Sequence, residues 1–204
     1  MKLSSRLILL VAFSVIGVVV KAQSVSGLLQ SVIAYYDKAT SIVTTFSMQE
    51  TNYSFDGRII TEGDKFVIET PQAKIWYNGQ IQWTYSSEIN EVNITEPTDE
   101  ELQQVNPLAI ISSLSHDYSI KLVKQTSTVN VIELNSMRAG IYIKRAVLEL
   151  NKTNNLPTKI SLTLENGASA QIIIKNIEDG KHLPSAFFEF DSKEYPNTEI
   201  IDLR

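Results

Sequence analysis

The sequence predicts a mainly β protein with some α-helix, folded as an incomplete, half-open antiparallel β-barrel of about 11 strands. Short segments with an apolar residue at every second position recur along most of the chain, which is the period of a half-buried strand. Turn-forming pairs such as Asn78-Gly79 and Asn166-Gly167 separate them. A long run of such strands cannot stay flat, because strand twist accumulates and the apolar face needs cover. The sheet is therefore expected to curl.

Residues 1–22 are predicted to be a cleavable signal peptide. Lys2 and Arg6 precede an apolar run from Leu7 to Val20, and a small residue, Ala22, ends the segment. The apolar run is shorter than the roughly 20 residues that span a bilayer as a helix. An uncleaved membrane anchor is the alternative. We expect an exported protein whose residues 23–204 form a single domain.

The charge of the chain excludes several classes of partner. The leader holds three of the 18 Lys and Arg residues and no acid, which leaves 15 bases against 23 acids in the rest of the chain. An acidic chain without a basic cluster argues against binding to nucleic acid. The absence of cysteine excludes disulfides and cysteine-based metal sites. Partners are expected to be recognised through apolar contacts.

Helices are predicted at the N-terminus and in the middle of the chain. Residues 24–39 carry apolar side chains at helical spacing on one face. Thr98 and Glu101 have the spacing of a capping box that starts a short central helix. Asn106-Pro107 ends it and starts a second one, since proline suits a first helical position. This broken element is predicted to be a movable lid, with the following lid residues: Leu102, Pro107, Leu108 and Ile111.

The strands are predicted to follow one another in a simple meander, with turns at Asp56-Gly57, Gly63-Asp64 and Asp179-Gly180. The last predicted strand is 187–190, and residues 194–204 are long enough for one more. About ten or more strands can enclose a ligand cavity. The alternating residues assigned to the concave, cavity-lining face are Phe46, Met48, Ile59, Phe66, Ile68, Ile81, Trp83, Tyr85, Val92 and Ile94. The alternative for each of them is a place in a packed core.

Catalytic motifs are scarce. His116 and His182 are the two histidines, and no nucleophile elbow or phosphate-binding loop is present. The cluster of Ser113, Ser115, His116 and Asp117 is interpreted as a helix-to-strand turn. The acids at 99–101 are explained by helix capping. We predict a protein that is not an enzyme and that has no metal site and no cofactor.

Several stretches together resemble a known family. They are the signal peptide, the amphipathic helix, Phe46-Ser47-Met48-Gln49, the run from Asn78-Gly79 to Trp83-Thr84-Tyr85, the strand at 91–94, and Asn106-Pro107. In this order they resemble the periplasmic outer-membrane lipoprotein carriers, the LolA-like proteins, and particularly the Bacteroidetes type. The resemblance covers essentially all of the chain after the signal peptide.

The resemblance implies a periplasmic, monomeric carrier whose hydrophobic cavity takes the acyl chains of lipoproteins. It also implies transient partners, an inner-membrane releasing complex and an outer-membrane acceptor. Typical members carry an Arg-Pro pair before the strand that here holds Phe66, and this sequence has Glu62-Gly63-Asp64-Lys65 instead. Neither Arg58 nor Lys65 matches that motif. Two alternatives therefore remain, a carrier of another acylated lipid or glycolipid and a lipid- or lipoprotein-sensing regulatory domain.

Overall fold

The computed structural model of the protein describes residues 25–50, 53–106 and 118–204. The described residues form two α-helices, one 3-10 helix and twelve strands that all belong to one sheet. The sheet is open, with β7 and β12 at its edges, so the fold is the predicted half-open barrel of mainly β structure. The predicted signal peptide, Pro107, Leu108, Ile111 and the cluster at 113–117 lie outside the described residues.

The strands are longest near the middle of the sheet, where β1, β2 and β11 lie. Their bounds are β1 Ser41–Glu50, β2 Tyr53–Glu62, β3 Lys65–Glu69, β4 Ala73–Tyr77, β5 Gln82–Ser86, β6 Glu91–Thr95, β7 Tyr118–Gln125, β8 Val129–Ser136, β9 Ile143–Asn151, β10 Pro157–Leu164, β11 Ser169–Gly180 and β12 Glu199–Asp202. The helices are α1 Val25–Lys38, α2 Asp99–Val105 and the 3-10 helix Ser185–Phe188.

The strand order corrects the prediction of a simple meander. It reads β12-β6-β5-β4-β3-β2-β1-β11-β10-β9-β8-β7. Strands β1 to β6 form one meander and β7 to β11 form a second, and the two join where β1 pairs antiparallel with β11. Strand β12 then adds to β6 in parallel. After β6 the chain therefore crosses to the opposite edge of the sheet, which alternation along the sequence does not reveal.

Three of the predicted turns or strands are wrong in detail. Asp56 and Gly57 lie inside β2, because Gly57 pairs with Phe46 and supports its ring instead of turning the chain. Asp179 and Gly180 end β11 in register with β1. The predicted strand at 187–190 is replaced by the 3-10 helix and the residues after it.

Helix α1 closes one side of the sheet. Its residues Leu28, Leu29 and Val32 are buried, and Val25, Ile33 and Tyr36 pack against the same core, so the predicted apolar stripe is confirmed. We call the sheet face beneath α1 the inner face and the opposite one the outer face. The inner face carries the main hydrophobic core, which stabilises the fold through burial of apolar area.

Helix α2 begins as the sequence predicts. The Thr98 hydroxyl accepts a hydrogen bond from the backbone N–H of Glu101, and the Glu101 carboxylate accepts one from the backbone N–H of Thr98 at 2.8 Å. Both bonds satisfy donors that the first helical turn leaves free. The helix ends at Val105, with Asn106 as its C-cap, immediately before Pro107.

Candidate functional site

Half of the predicted cavity residues lie together on the inner face. Phe46, Ile59, Phe66 and Ile68 are buried there, and Met48 packs against them while remaining partly exposed. Cross-strand pairing explains this arrangement, since paired residues point to the same face. Ile59 pairs with Ile68, and Phe66 pairs with Tyr77, whose ring lies 5.2 Å from that of Phe66 between centroids.

Four other predicted cavity residues lie on the outer face, which corrects their assignment to the concave side. Trp83 pairs with Trp76 and with Ile94, and Tyr85 pairs with Val92. Trp76 in turn pairs with Val67, which alternates with the inward Phe66 and Ile68.

The remaining residue, Ile81, lies in the turn before β5, where its backbone N–H donates to the Asn78 side chain at 2.9 Å. Because the turn pairs Tyr77 with Gln82, the residues of β5 and β6 that were expected on the inner face lie on the outer face.

The chain after β11 is what covers those outward aromatic residues. Phe188 is fully buried there with Val67 and Trp76, and Trp83 and Tyr85 pack against them. The rings of Trp76 and Tyr195 meet edge to face with centroids 5.6 Å apart. This outer cluster, centred on Val67, Trp76 and Phe188, is a second small core that the sequence reading missed. Its sequence signal was the density of aromatic residues between 187 and 195.

The apolar residues of the inner face differ in exposure. On β8 to β11 most of them are almost completely buried, as in Ile132, Leu148 and Ile160 at 0% exposure, while Leu164 and Ile174 are partly buried. On β1 to β4, three large apolar inward residues are partly buried: Met48, Phe55 and Ile75. These three and their buried neighbours Phe46 and Ile68 form what we call the inner patch. It is a partly exposed apolar area of the inner face.

A polar strip borders the inner patch on β5 and β6. Its inward residues are Gln82, Thr84, Asn93 and Thr95, as their pairing requires. The Gln82 side-chain nitrogen donates to Thr84 at 3.1 Å, while its side-chain oxygen is buried without a hydrogen-bond partner. An unpaired buried acceptor carries a desolvation cost that a ligand donor can relieve. The inner face therefore changes from apolar to polar towards the β12 edge.

Two helices meet the ends of this face. Leu102 and Val105 of α2 pack against the inner core, which places the first predicted lid residue over the apolar face. Burial, together with the charges of Asp64 and Asp99, raises the pKa of Tyr77.

At the other helix, the Tyr35 hydroxyl donates to Asp179 at 2.7 Å. Burial and that bond raise the pKa of Tyr35 to about 12. This bond ties α1 to the end of β11.

The cations nearest to the missing Arg-Pro position point away from the inner face. Arg58 forms a two-pronged contact with Glu69 on the outer face, with its Nε atom 2.9 Å from the carboxylate. Burial tends to raise the pKa of Glu69, but its bonds to Arg58 and Lys74 outweigh this and leave the pKa lowered. The Lys65 ammonium lies 5.8 Å from the centre of the Phe188 ring. Both cations therefore lie on the outer face of the sheet.

Shallow cavities lie on the described surface, and two of them can be placed on the sheet. The larger, about 440 Å³, lies mainly over outer-face residues including Asp56, Arg58 and Lys175, and the smaller, about 190 Å³, lies around residues 151–158 and 174–177. On the inner face, Phe46 and Phe66 belong to the same hydrophobic core as the α1 residues Leu28, Leu29 and Val32.

Chemical groups suited to catalysis are dispersed. Within residues 25–50, 53–106 and 118–204, no three His, Cys, Asp or Glu side chains are grouped so that they could hold a metal. His182 is exposed and contacts Glu62 at 2.7 Å. No described helix combines the length and hydrophobicity needed to cross a membrane.

Comparison with protein families identifies the relationship. The family model described as outer membrane lipoprotein carrier protein LolA matches residues 18–166, well over half of the chain. The chain belongs to the LolA family. The match ends before β11, so the strand that joins the two meanders and the cover of the outer cluster follow the matched region. A comparison with curated protein sequences gave no significant match.

Solved structures with TM-scores of 0.50 or more share this fold at low sequence identity. An uncharacterized conserved protein from Thermus thermophilus is 14% identical with a TM-score of 0.57, over 87% of this chain and 98% of that one. A DUF1329 family protein from Desulfovibrio piger is 11% identical with a TM-score of 0.50, over 82% and 98%. A LolA superfamily protein from Nitrosomonas europaea is 12% identical with a TM-score of 0.45, over 84% and 100%.

Proposed function

We propose that this LolA family member is a non-enzymatic, monomeric carrier that takes the acyl chains of lipoproteins across the periplasm, from the inner to the outer membrane. The observation that carries the proposal is the inner patch, where Met48, Phe55 and Ile75 stay partly exposed beside a buried apolar wall. Residues 23–204 act as a single domain after removal of the signal peptide.

Acyl chains need an apolar carrier to cross an aqueous compartment. Each methylene group of an acyl chain costs about 0.8 kcal/mol to expose to water, so a lipidated protein cannot cross the periplasm unprotected. An apolar face under a helical cover offsets that cost. Binding must also be reversible, because the cargo has to leave at the outer membrane.

The lid is the segment that starts at α2. Leu102 contacts the inner core, and α2 ends at Val105, before Asn106-Pro107 and the predicted lid residues Leu108 and Ile111. A short helix with few long-range contacts opens at low cost. We infer that an inner-membrane releasing complex loads the patch while this segment is displaced, and that an outer-membrane acceptor empties it.

A pair of neighbouring substitutions tests the cargo site. Met48 points to the inner patch, whereas Gln49, the next residue on β1, is exposed and points to the outer face. Met48→Glu and Gln49→Glu each add one negative charge. The protein is purified from bacterial envelopes in each form, and native mass spectrometry identifies what is bound.

Acylated lipoproteins are expected on the wild type and on Gln49→Glu, and a loss of at least about tenfold on Met48→Glu, because a carboxylate at an apolar contact disfavours the acyl chain. Circular dichroism checks that both variants are folded. Equal cargo on the two variants contradicts the inner patch as the site. A wild type that stays empty when offered lipoproteins contradicts the function.

A second candidate is a carrier of another acylated lipid or glycolipid. The outward orientation of Arg58 and Lys65, in a chain without the Arg-Pro pair, favours it, since the family's usual lid contact has no equivalent among these cations. Free lipids instead of lipoproteins in the same mass spectra would select this candidate. A regulatory role would be indicated by a protein partner without acyl chains.

A further inference from the structure

Exposed apolar side chains gather at one rim of the sheet. Six large apolar residues are exposed in the described part of the chain, and three lie at hairpin tips: Tyr53 at 45%, Ile89 at 63% and Met137 at 60% exposure. Tyr53 is the first residue of β2, Ile89 lies in the β5–β6 turn and Met137 in the β8–β9 turn. Because β1, β5 and β8 all run towards the same end of the sheet, the three tips share one rim.

The hairpin turns of the opposite rim, at 63–64, 78–81, 126–128 and 152–156, have no exposed large apolar side chain among the described residues. The other three exposed apolar residues do not lie in hairpin turns. Val123 lies on the edge strand β7, Ile200 lies on β12 close to the β5–β6 turn, and Leu203 follows β12 at the opposite rim. The asymmetry between the two sets of hairpin turns requires an explanation, since single exposed apolar residues are ordinary.

The spacing of the tips indicates the kind of surface they meet. In the sheet order the β5–β6, β1–β2 and β8–β9 turns are each four strands apart, which corresponds to about 19 Å along the sheet. A protein interface needs a contiguous apolar core, and three separate side chains do not supply one. A bilayer surface can accept each of them independently, with tyrosine suited to the headgroup region.

The charged residues of the rim indicate which lipid headgroups it can contact. Glu88 and Glu165 lie in the β5–β6 and β10–β11 turns of this rim, and Arg138 is the base beside Met137. A rim with more acid than base is repelled by anionic lipids. We propose that the rim formed by Tyr53, Ile89 and Met137 docks on a zwitterionic phospholipid bilayer. This goes beyond the carrier function, since the rim binds a membrane whether or not cargo is present.

The chain has no cysteine, so a single introduced cysteine reports one position. Ile89→Cys, Met137→Cys and, as the control at the opposite rim, Leu203→Cys are labelled with an environment-sensitive fluorophore and mixed with phosphatidylcholine vesicles. We expect blue-shifted emission at positions 89 and 137 and unchanged emission at 203. A shift at all three positions, or at none, overturns the proposal.

Vesicle flotation gives an independent measure. Ile89→Ser with Met137→Ser is expected to lower the vesicle-bound fraction about tenfold, since two large apolar side chains lose their burial. Val123→Ser with Leu203→Ser, two exposed residues near the opposite rim, is expected to leave it unchanged. Equal loss in both double variants, or tighter binding as phosphatidylglycerol is added, overturns the proposal. Cargo analysis of the rim variant separates this result from the carrier function, because its inner patch is intact.

Discussion

At the scale of single residues, the contact between Phe46 and Gly57 shapes the inner patch. The two residues are cross-strand partners on β1 and β2, and the Phe46 ring covers the glycine. A Cβ atom at position 57 would lie 2.5 Å from the Phe46 Cζ atom, well inside van der Waals contact. Gly57 is therefore required because it leaves room for the aromatic ring, and its backbone does not have a positive φ.

We predict that Gly57→Ala lowers the free energy of unfolding by about 1 to 3 kcal/mol, because the ring must leave its position in a packed core. In an ordinary strand the same substitution would stabilise. Urea unfolding measures the change. In a Phe46→Leu background the cost of Gly57→Ala is expected to shrink, and a cost that is the same in both backgrounds would show that the ring is not the cause.

At the scale of elements, the capping box makes the start of α2 sensitive to acid. Hydrogen bonds from the Thr98 backbone and side chain lower the pKa of Glu101 below its ordinary value of about 4.5. A lowered carboxyl pKa means that the ionised form is favoured in the fold, so its stabilising effect is complete above the ordinary pKa. It is lost as the pH falls through the lowered value.

We predict that amide protection in residues 102–106 is constant from neutral pH down to about 4.5 and falls below it. Hydrogen exchange, corrected for the intrinsic rate at each pH, measures this. Glu101→Gln keeps a side chain suited to the box but cannot titrate, so it should remove the pH dependence. A fall of the same size in the variant would assign the effect to another group.

The same elements show why sequence reading succeeded in part. Apolar spacing located α1, the capping residues located α2, and alternation placed Phe46, Ile59, Phe66 and Ile68 on one face. The length of the turn between β4 and β5 decides which residues of the two strands face the same side of the sheet. Four residues separate the partners Tyr77 and Gln82, so odd positions on β4 face the same way as even positions on β5.

Continuing the odd-numbered series from Ile75 through Trp83 therefore placed Trp83 on the wrong face. An even-length hairpin loop was the signal that could have corrected it. There is a second reason why the outward aromatic residues were assigned to the wrong face. The segment that covers them, around Phe188, lies about 100 residues later in the sequence. Local patterns carry no information about such a contact.

At the scale of the whole molecule, the fold depends on one seam. Strands β1 and β11 join the two meanders, and their pairing shifts register between Thr45 and Phe46. The partners are more than 100 residues apart in sequence, as with Met48 and Ile172. Ile172 is 1% exposed and also pairs with Ile160, so its side chain packs at the centre of this seam.

We predict that Ile172→Ala lowers the free energy of unfolding by about 2 to 5 kcal/mol and destabilises both halves of the sheet together. Both tryptophans of the chain, Trp76 and Trp83, lie on β4 and β5 and so report on the half that does not contain Ile172. In a single cooperative domain the urea midpoint from tryptophan fluorescence should fall as far as the midpoint from circular dichroism. If the fluorescence midpoint stays at its wild-type value while the dichroism midpoint falls, the two meanders unfold separately, and residues 23–204 do not behave as one domain.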